Sequence, residues 1–159
     1  MNLAFDLLAG AAERNDERAI VMLFQSLAAA GALGEDRLPI DPVVDTVVYW
    51  VNLPHGQADI VAFHADGAAS VIEVKDGDAG ARSVLAGIGQ VGYYAIQLGM
   101  ARARLKEIRR ALLWTSTGSA EQDARIEMAC EQAGVVPLPW GLKADHLGMA
   151  RAELSARGF

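Results

Sequence analysis

The 159-residue sequence has one cysteine, Cys130, so the chain alone supplies no disulfide framework, zinc knuckle or iron–sulfur cluster. It also lacks a surplus of positive charge. Fourteen Lys and Arg stand against 20 Asp and Glu, a formal net charge of −6. That balance opposes long-range attraction of a polyanion, while leaving room for a local basic groove. No hydrophobic run approaches the roughly 18 uncharged residues that a membrane span needs. The first residues, Met1-Asn2-Leu3-Ala4-Phe5-Asp6, show no basic stretch leading into an apolar one. The expectation is a cytoplasmic protein in a reducing setting, with no membrane partner. Repeats, low-complexity tracts and linkers are missing too, which predicts a single domain over residues 1–159. A hydrophobic content of 52% against 21% charged is globular, and the length is enough to bury a core.

What is present reads as alternating helix and strand. Residues 3–32 are rich in Ala, Leu and Glu and predict one or two helices, with Asp16 placed to cap the second. Beyond that cap, Ile20, Leu23, Phe24 and Leu27 recur at helical spacing and form a stripe toward the core. Glu17 extends the stripe by one turn, and Glu13 lies four residues earlier on the same side. Glu17 is either a first-turn glutamate favoured by the helix dipole or a carboxylate aimed at a sheet edge. Gly31 and Gly34 end the helix, and Pro39 and Pro42 exclude one in the connection that follows.

Residues 43–53 are β-branched and aromatic and predict a first strand. Pro54-His55-Gly56 turns the chain into a second strand over 59–64, and Asp66-Gly67 turns it into a third over 69–75. These three form an antiparallel meander. The second and third are apolar on both faces, as in a sheet covered on both sides. A helix is predicted over 81–105, with Val84, Leu85, Ile88, Val91, Ala95 and Leu98 inward. Its glycines at 87, 89, 92 and 99 each cost about 1 kcal/mol relative to alanine, which close approach to the sheet or a ligand would explain. Arg102, Arg104, Lys106, Arg109 and Arg110 read as a solvated helix end ahead of a phosphate-binding patch. A fourth strand over 111–114, a polar turn over 116–119, a helix over 120–133 closed by Gly134, and a fifth strand over 135–138 complete the core. The strand–helix–strand order lets the last two strands run parallel. Residues 145–156 predict a final helix.

Chemistry concentrates between residues 56 and 94. Asp59 opens the second strand, and Glu73 and Lys75 close the third from one face, two residues apart. Two carboxylates and a lysine converging on one face can hold a hard divalent cation and position a water. The alternative, a buried ion pair, sets two negative charges against one positive, and buried ion pairs contribute little net stability. A metal resolves that imbalance better. Gln90 and Tyr94 are four residues apart on one helix face, placed to hold a phosphate, a nucleobase or Lys75, or simply to line the helix–sheet gap. Tyr93 points about 100° away and reads as core, as do Trp114 and Trp140. His55 and His64 have no metal-ligand spacing, and His64 falls on the sheet face opposite Asp59. Ser116, Thr117 and Ser119 have no histidine partner. Gly87-x-Gly89-x-x-Gly92 lies within a helix and follows no strand, which rules out a dinucleotide site.

Asp59 followed fourteen residues later by Glu73-Val74-Lys75 resembles the PD-(D/E)XK nuclease superfamily. Gly56-Gln57-Ala58-Asp59 is similar to the G-x-x-D form of its first half-motif, with Ala58 where proline is usual. Gln90 with Tyr94 resembles the Q-x-x-x-Y motif of RecB-like members. The resemblance spans roughly residues 13–138. It implies an α/β fold with a three-layer restriction-endonuclease-like core, a mixed central β-sheet flanked by helices in the order αβββαβαβ. It further implies a nuclease dependent on Mg²⁺ or Mn²⁺, hydrolysing phosphodiester bonds in DNA ahead of RNA. Asp59, Glu73 and the Val74 carbonyl would hold the metal, Asp59, Glu73, Lys75, Gln90 and Glu17 would form the catalytic set, and Gln90 and Tyr94 would touch substrate. Lys75 is expected to act electrostatically, because the neighbouring carboxylates raise its pKa and oppose a role as base. A homodimer or a protein partner is the expected means of choosing a substrate. The other reading is a catalytically inactive nuclease-fold module that binds a nucleic acid or a protein.

Overall fold

The structure, a computed structural model, describes residues 17–31, 33, 37–140 and 152–158. Helix α1, Glu17–Ala29, buries Ile20, Leu23 and Phe24 of the expected stripe together with Val21 and Ala28. The Asp16 cap, Glu13 and Gly34 lie outside the described residues, as does most of the expected last helix, of which 152–156 are helical.

Strands β1, Thr46–Leu53, β2, Gly56–Phe63, and β3, Ala69–Lys75, form the antiparallel meander. The first strand starts three residues later than its β-branched pattern predicts. Val43 and Val44 lie exposed in a turn, where the Val43 N–H donates to Asp41 Oδ1 and the Asp41 N–H donates to Asp45 Oδ2, each at 2.9 Å. Local side-chain hydrogen bonds of this kind compete with strand pairing and win here. Gly67 turns the hairpin at φ +90°, as the Asp-Gly dipeptide requires.

Helix α2, Ala81–Ala101, strand β4, Ile108–Thr115, helix α3, Ala120–Gln132, and strand β5, Val136–Trp140, follow. The sheet order is β1-β2-β3-β4-β5, with β3, β4 and β5 parallel, so the mixed sheet and the parallel last pair are both as expected. The side chains of α1 pack on one face with Ile60, Ile72, Val74 and Leu113. On the other face, α2 and α3 pack through Val84, Val91, Leu98, Ile126 and Cys130 against Val71, Leu112 and Trp114. Helix, sheet and helices thus make three α/β layers in the predicted order, and β3, buried at every position, lies in the middle layer.

The structure corrects two points on α2. It ends at Ala101, short of residue 105, because the segment after it is drawn to the hairpin: the Lys106 N–H donates to Gly67 O and the Ala69 N–H to Glu107 O. Leu85, expected inward, is 40% exposed. The basic cluster beyond α2 is split among separate partners. Arg110 donates to the Ala133 and Gly134 carbonyls at the end of α3, Arg102 lies over the Phe63 ring, and Arg109 pairs with Glu107 and Asp66. No helix among the described residues is long and apolar enough to cross a membrane.

Candidate active site

The site begins where the sheet parts. Strands β2 and β3 pair from Phe63↔Ala69 to Ile60↔Ile72, and the register stops before Asp59 and Glu73 would meet. Instead of a backbone partner, the Val74 N–H donates to Asp59 Oδ2 at 2.8 Å. On the other side of β2 the register passes from Tyr49↔Ile60 to Val51↔Ala58 and skips the Trp50–Asp59 position. A half-buried carboxylate therefore stands in the opened seam, held by one backbone hydrogen bond.

Around it the structure gathers most of the predicted residues. Lys75 is 8% exposed, and its Nζ lies 3.3 Å from Glu73 Oε1 and 3.9 Å from Glu17 Oε1. Glu17 thus reaches toward Lys75 from α1, on the opposite layer from α2, and it is at the same time the acidic residue of that helix's first turn. Tyr94 comes close enough to feel the charges of Glu73, Asp59 and Lys75. Gln90 lies one turn after Gly87 on α2, with Oε1 buried and unpartnered.

Two glycines make this convergence possible. A Cβ on Gly87 would stand 2.5 Å from Leu112 Cδ1 and 3.2 Å from Lys75 Cγ, so α2 descends on the lysine stem only because nothing is there. A Cβ on Gly56 would meet Tyr94 Cε1 at 2.6 Å, and its φ of +124° is itself a conformation for glycine. The first residue of the G-x-x-D stretch is therefore the seat of the tyrosine ring. By contrast Gly89 faces open space, and no close approach accounts for it.

Electrostatically the site sets more carboxyl groups than ammonium groups in a poorly hydrated space. Burial, followed by the nearby Asp59 charge, pushes the Glu73 carboxyl up from 4.5 to about 8, against the pull of Lys75. Asp59 is also raised, by burial first and Glu17 next, with the Val74 hydrogen bond and Lys75 opposing. Tyr94 is raised by burial and then by the two carboxylates. Glu73 Oε2 is buried without a hydrogen-bond partner, as is Asp76 Oδ2. A cavity of about 500 Å³ opens beside Asp59, lined among others by Glu17, Arg18, Trp50, Gln57 and Asp76.

Several residues of this neighbourhood escaped the sequence reading. Asp76 is buried directly after Lys75; it caps the short 3₁₀ turn Gly77–Ala79 by accepting from the Asp78 N–H, and it accepts from Thr115 Oγ1. Its position between Lys75 and Gly77 was a capping signal in plain view. Gln97 is buried and clamps the turn before β2, accepting from the His55 N–H and donating to the His55 carbonyl. Tyr93, expected in the core, is 50% exposed and stacks on His55. His64 is held between Asp45 Oδ2 at 2.9 Å and Ser70 Oγ at 2.7 Å, the connectivity of a nucleophilic hydrolase. Ser70 is wholly buried within β3, with no approach for a carbonyl, so the trio ties the turn before β1 to the hairpin and is a structural pin.

A comparison with solved structures finds similarity to a repair endonuclease from Pyrococcus abyssi. The identity is 18% and the TM-score 0.48, over 78% of this chain and 47% of that one. The present chain thus spans about half the length of that protein. No family model and no curated protein matches the sequence. The likeness is one of chain path, and the chemistry has to be read from the side chains.

Among the described residues no three His, Cys, Asp or Glu side chains converge closely enough to hold a metal by themselves. Asp59 and Glu73 offer two carboxylates, and Glu73 keeps one buried oxygen unpartnered. An all-oxygen donor set of this kind fits a hard cation that retains several waters, as Mg²⁺ does, better than zinc or a transition metal selected by nitrogen or sulfur. With one ammonium beside two or three carboxylates, the site can bind such a cation and offset charge on an anion brought to it.

Proposed function

We propose that the chain is a divalent-metal-dependent nuclease that hydrolyses phosphodiester bonds, in DNA ahead of RNA. The observation that carries this reading is the carboxylate pair at the sheet seam, Asp59 half-buried and Glu73 buried with its Oε2 unpartnered beside Lys75. Asp59, Glu73 and the Val74 carbonyl would hold Mg²⁺ or Mn²⁺, which when bound supplies acidified water and neutralises charge building on the phosphate. Asp59 is oriented for this by the Val74 N–H. Lys75, steadied by Glu73 and Glu17, would place its ammonium where the phosphate oxygens gain negative charge, and that differential would stabilise the transition state. Tyr94 and Gln90 extend the polar wall toward the substrate. A homodimer or a protein partner is the proposed means of selecting the DNA.

The test is cleavage of labelled oligonucleotides and plasmid DNA with Mg²⁺ or Mn²⁺. Asp59→Ala, Glu73→Ala and Lys75→Ala should each remove metal-dependent cleavage, by about 10²-fold or more for the lysine, with the circular dichroism spectrum kept. Cleavage surviving in all three would end the proposal. The second reading, an inactive binding module, draws on the net charge of −6 and on the lack, among the described residues, of a third His, Cys, Asp or Glu converging with the carboxylate pair. Calorimetry that found no Mn²⁺ binding at millimolar metal would decide for it.

A further inference from the structure

Trp50 is the residue of β1 that stands opposite Asp59, and it alone among the described non-glycine residues has a positive φ, at 51°. A bulky aromatic residue in the left-handed region is a genuine outlier, and such conformations cluster at ligand sites. The kink does two things at once. It drops the Trp50–Asp59 pair from the register, and it puts the tryptophan in the wall of the same cavity that Asp59 lines. Arg18, an exposed residue of α1, lines that cavity too and lays its guanidinium over the indole, 4.9 Å from the ring centroid. A flat, π-bonded cation already rests where a flat, π-bonded base can stack.

We infer that Trp50 and Arg18 form a nucleotide subsite beside the scissile phosphate, Trp50 stacking an unpaired base and Arg18 meeting the adjoining phosphate. The ligand class is single-stranded nucleic acid, or a frayed or flipped-out end of a duplex. This rests on the nuclease reading for its placement next to the carboxylates. It also answers a difficulty of that reading. A chain with a net charge of −6 gains little from phosphate attraction, so affinity has to come from the bases. Stacking on an aromatic face provides it without regard to sequence.

The full chain can be tested by its own fluorescence. Trp114 and Trp140 are buried, at 0% and 8% exposure, so quenching on addition of a ligand reports Trp50. Oligothymidylate, titrated with Ca²⁺ in place of Mg²⁺ to hold back cleavage, should quench the emission. An oligomer of equal length built from abasic residues should bind about tenfold more weakly and leave the emission unchanged. Trp50→Ala should lose a similar factor and Trp50→Phe should recover most of it. Affinity should fall only modestly with salt, with a log–log slope of about −1.4 for the two phosphate contacts, to Arg18 and Lys75. Equal affinity for the two oligomers without quenching, or no binding of either, overturns the inference, and the oligomer comparison on the unaltered chain decides even if Trp50→Ala fails to fold. Mn²⁺-dependent cleavage of the abasic oligomer, which has no ring to stack, reports the nuclease reading separately. Hydrolysis without quenching sinks the subsite alone, and quenching without hydrolysis sinks the nuclease alone.

Discussion

Glu73 makes the metal-free protein lose stability as the pH rises through neutrality. Its carboxyl titrates near 8 in the folded chain and near 4.5 when free of that environment, burial being the larger cause and Asp59 the next. Between those values the folded state holds one more proton than the unfolded state. The number of protons bound in the unfolded state minus that in the native state is then about −1, and stability falls by about 1.4 kcal/mol per pH unit. Below pH 4.5 the group contributes no slope, and above 8 the full penalty of an ionised, desolvated carboxylate is present. Asp59, raised in the same sense, adds to the slope at the acid end of the window.

From pH 5.5 to 7.5 the loss is about 2.7 kcal/mol, which for a chain of this size lowers Tm by roughly 5–10 °C. The measurement is thermal unfolding in EDTA at half-unit steps of pH, for the unaltered chain and for Glu73→Gln. The glutamine keeps the shape and removes the titration, so its curve should be flatter by that amount and should cross above the parent near neutral pH. Mn²⁺ should stabilise the parent more at pH 7.5 than at 5.5, because the cation must displace the proton, and should do far less for Glu73→Gln. Parallel Tm–pH curves for the two proteins in EDTA would show that Glu73 is not held protonated and would remove the electrostatic basis of the site.

Three further outcomes follow from contacts outside the carboxylate pair. Gly87→Ala should destabilise by about 1–3 kcal/mol in urea unfolding and slow cleavage, since its Cβ would press on Leu112 and the Lys75 stem, whereas Gly89→Ala, facing open space, should stabilise by about 0.5–1 kcal/mol. His64→Ala should cost about 2–3 kcal/mol by stranding Asp45 and Ser70, with the cleavage rate per folded molecule unchanged, and esterase activity should be absent from the parent as from the variant. The Cys130 thiol, fully buried and pushed up to about 12 by burial and then by Glu127 and Glu131, should resist a thiol reagent until denaturant unfolds the chain.

What the sequence disclosed were the features written in short-range pattern. β3 was readable because its apolar run is bounded by Asp66-Gly67 on one side and by Gly77 on the other, and its spacing put Glu73 and Lys75 on one face. The stripe of α1 was readable for the same reason, with Glu17 as its next member. The misreadings fall where a distant partner decides. The residues after Ala101 have helical composition, but Lys106 and Glu107 hydrogen-bond to Gly67 and Ala69, nearly forty positions back. Val43 and Val44 have strand composition, but the Asp41 and Asp45 side chains hold them in a turn. Of the tyrosine pair, helical phase separated Tyr94 from Tyr93 and wrongly sent Tyr93 to the core; only the tertiary fold shows Tyr93 over His55 and Tyr94 over Gly56. Trp50 carries no motif of its own and gains importance only when the strands set it opposite Asp59, while the burial of Asp76 against Thr115 appears only in the fold.

The strongest reason to read chemistry into the seam is that the fold would be more stable without it. A sheet of this kind could continue β2–β3 pairing past Ile60 and Ile72 and fill the space with apolar side chains, as the rest of β3 does. Instead the strands part, a tryptophan takes a positive φ, two carboxylates lose water, and Glu73, Asp76 and Gln90 each keep a buried oxygen without a partner. A salt bridge to Lys75 does not account for this, because one ammonium cannot balance Asp59, Glu73 and Glu17 together, and Glu73 answers by holding a proton. Under the proposed function, a hard cation would take the place of that proton. An inactive module would gain nothing from such an exchange, so stabilisation of the chain by a hard cation would count for the proposed hydrolase over a bare binding fold.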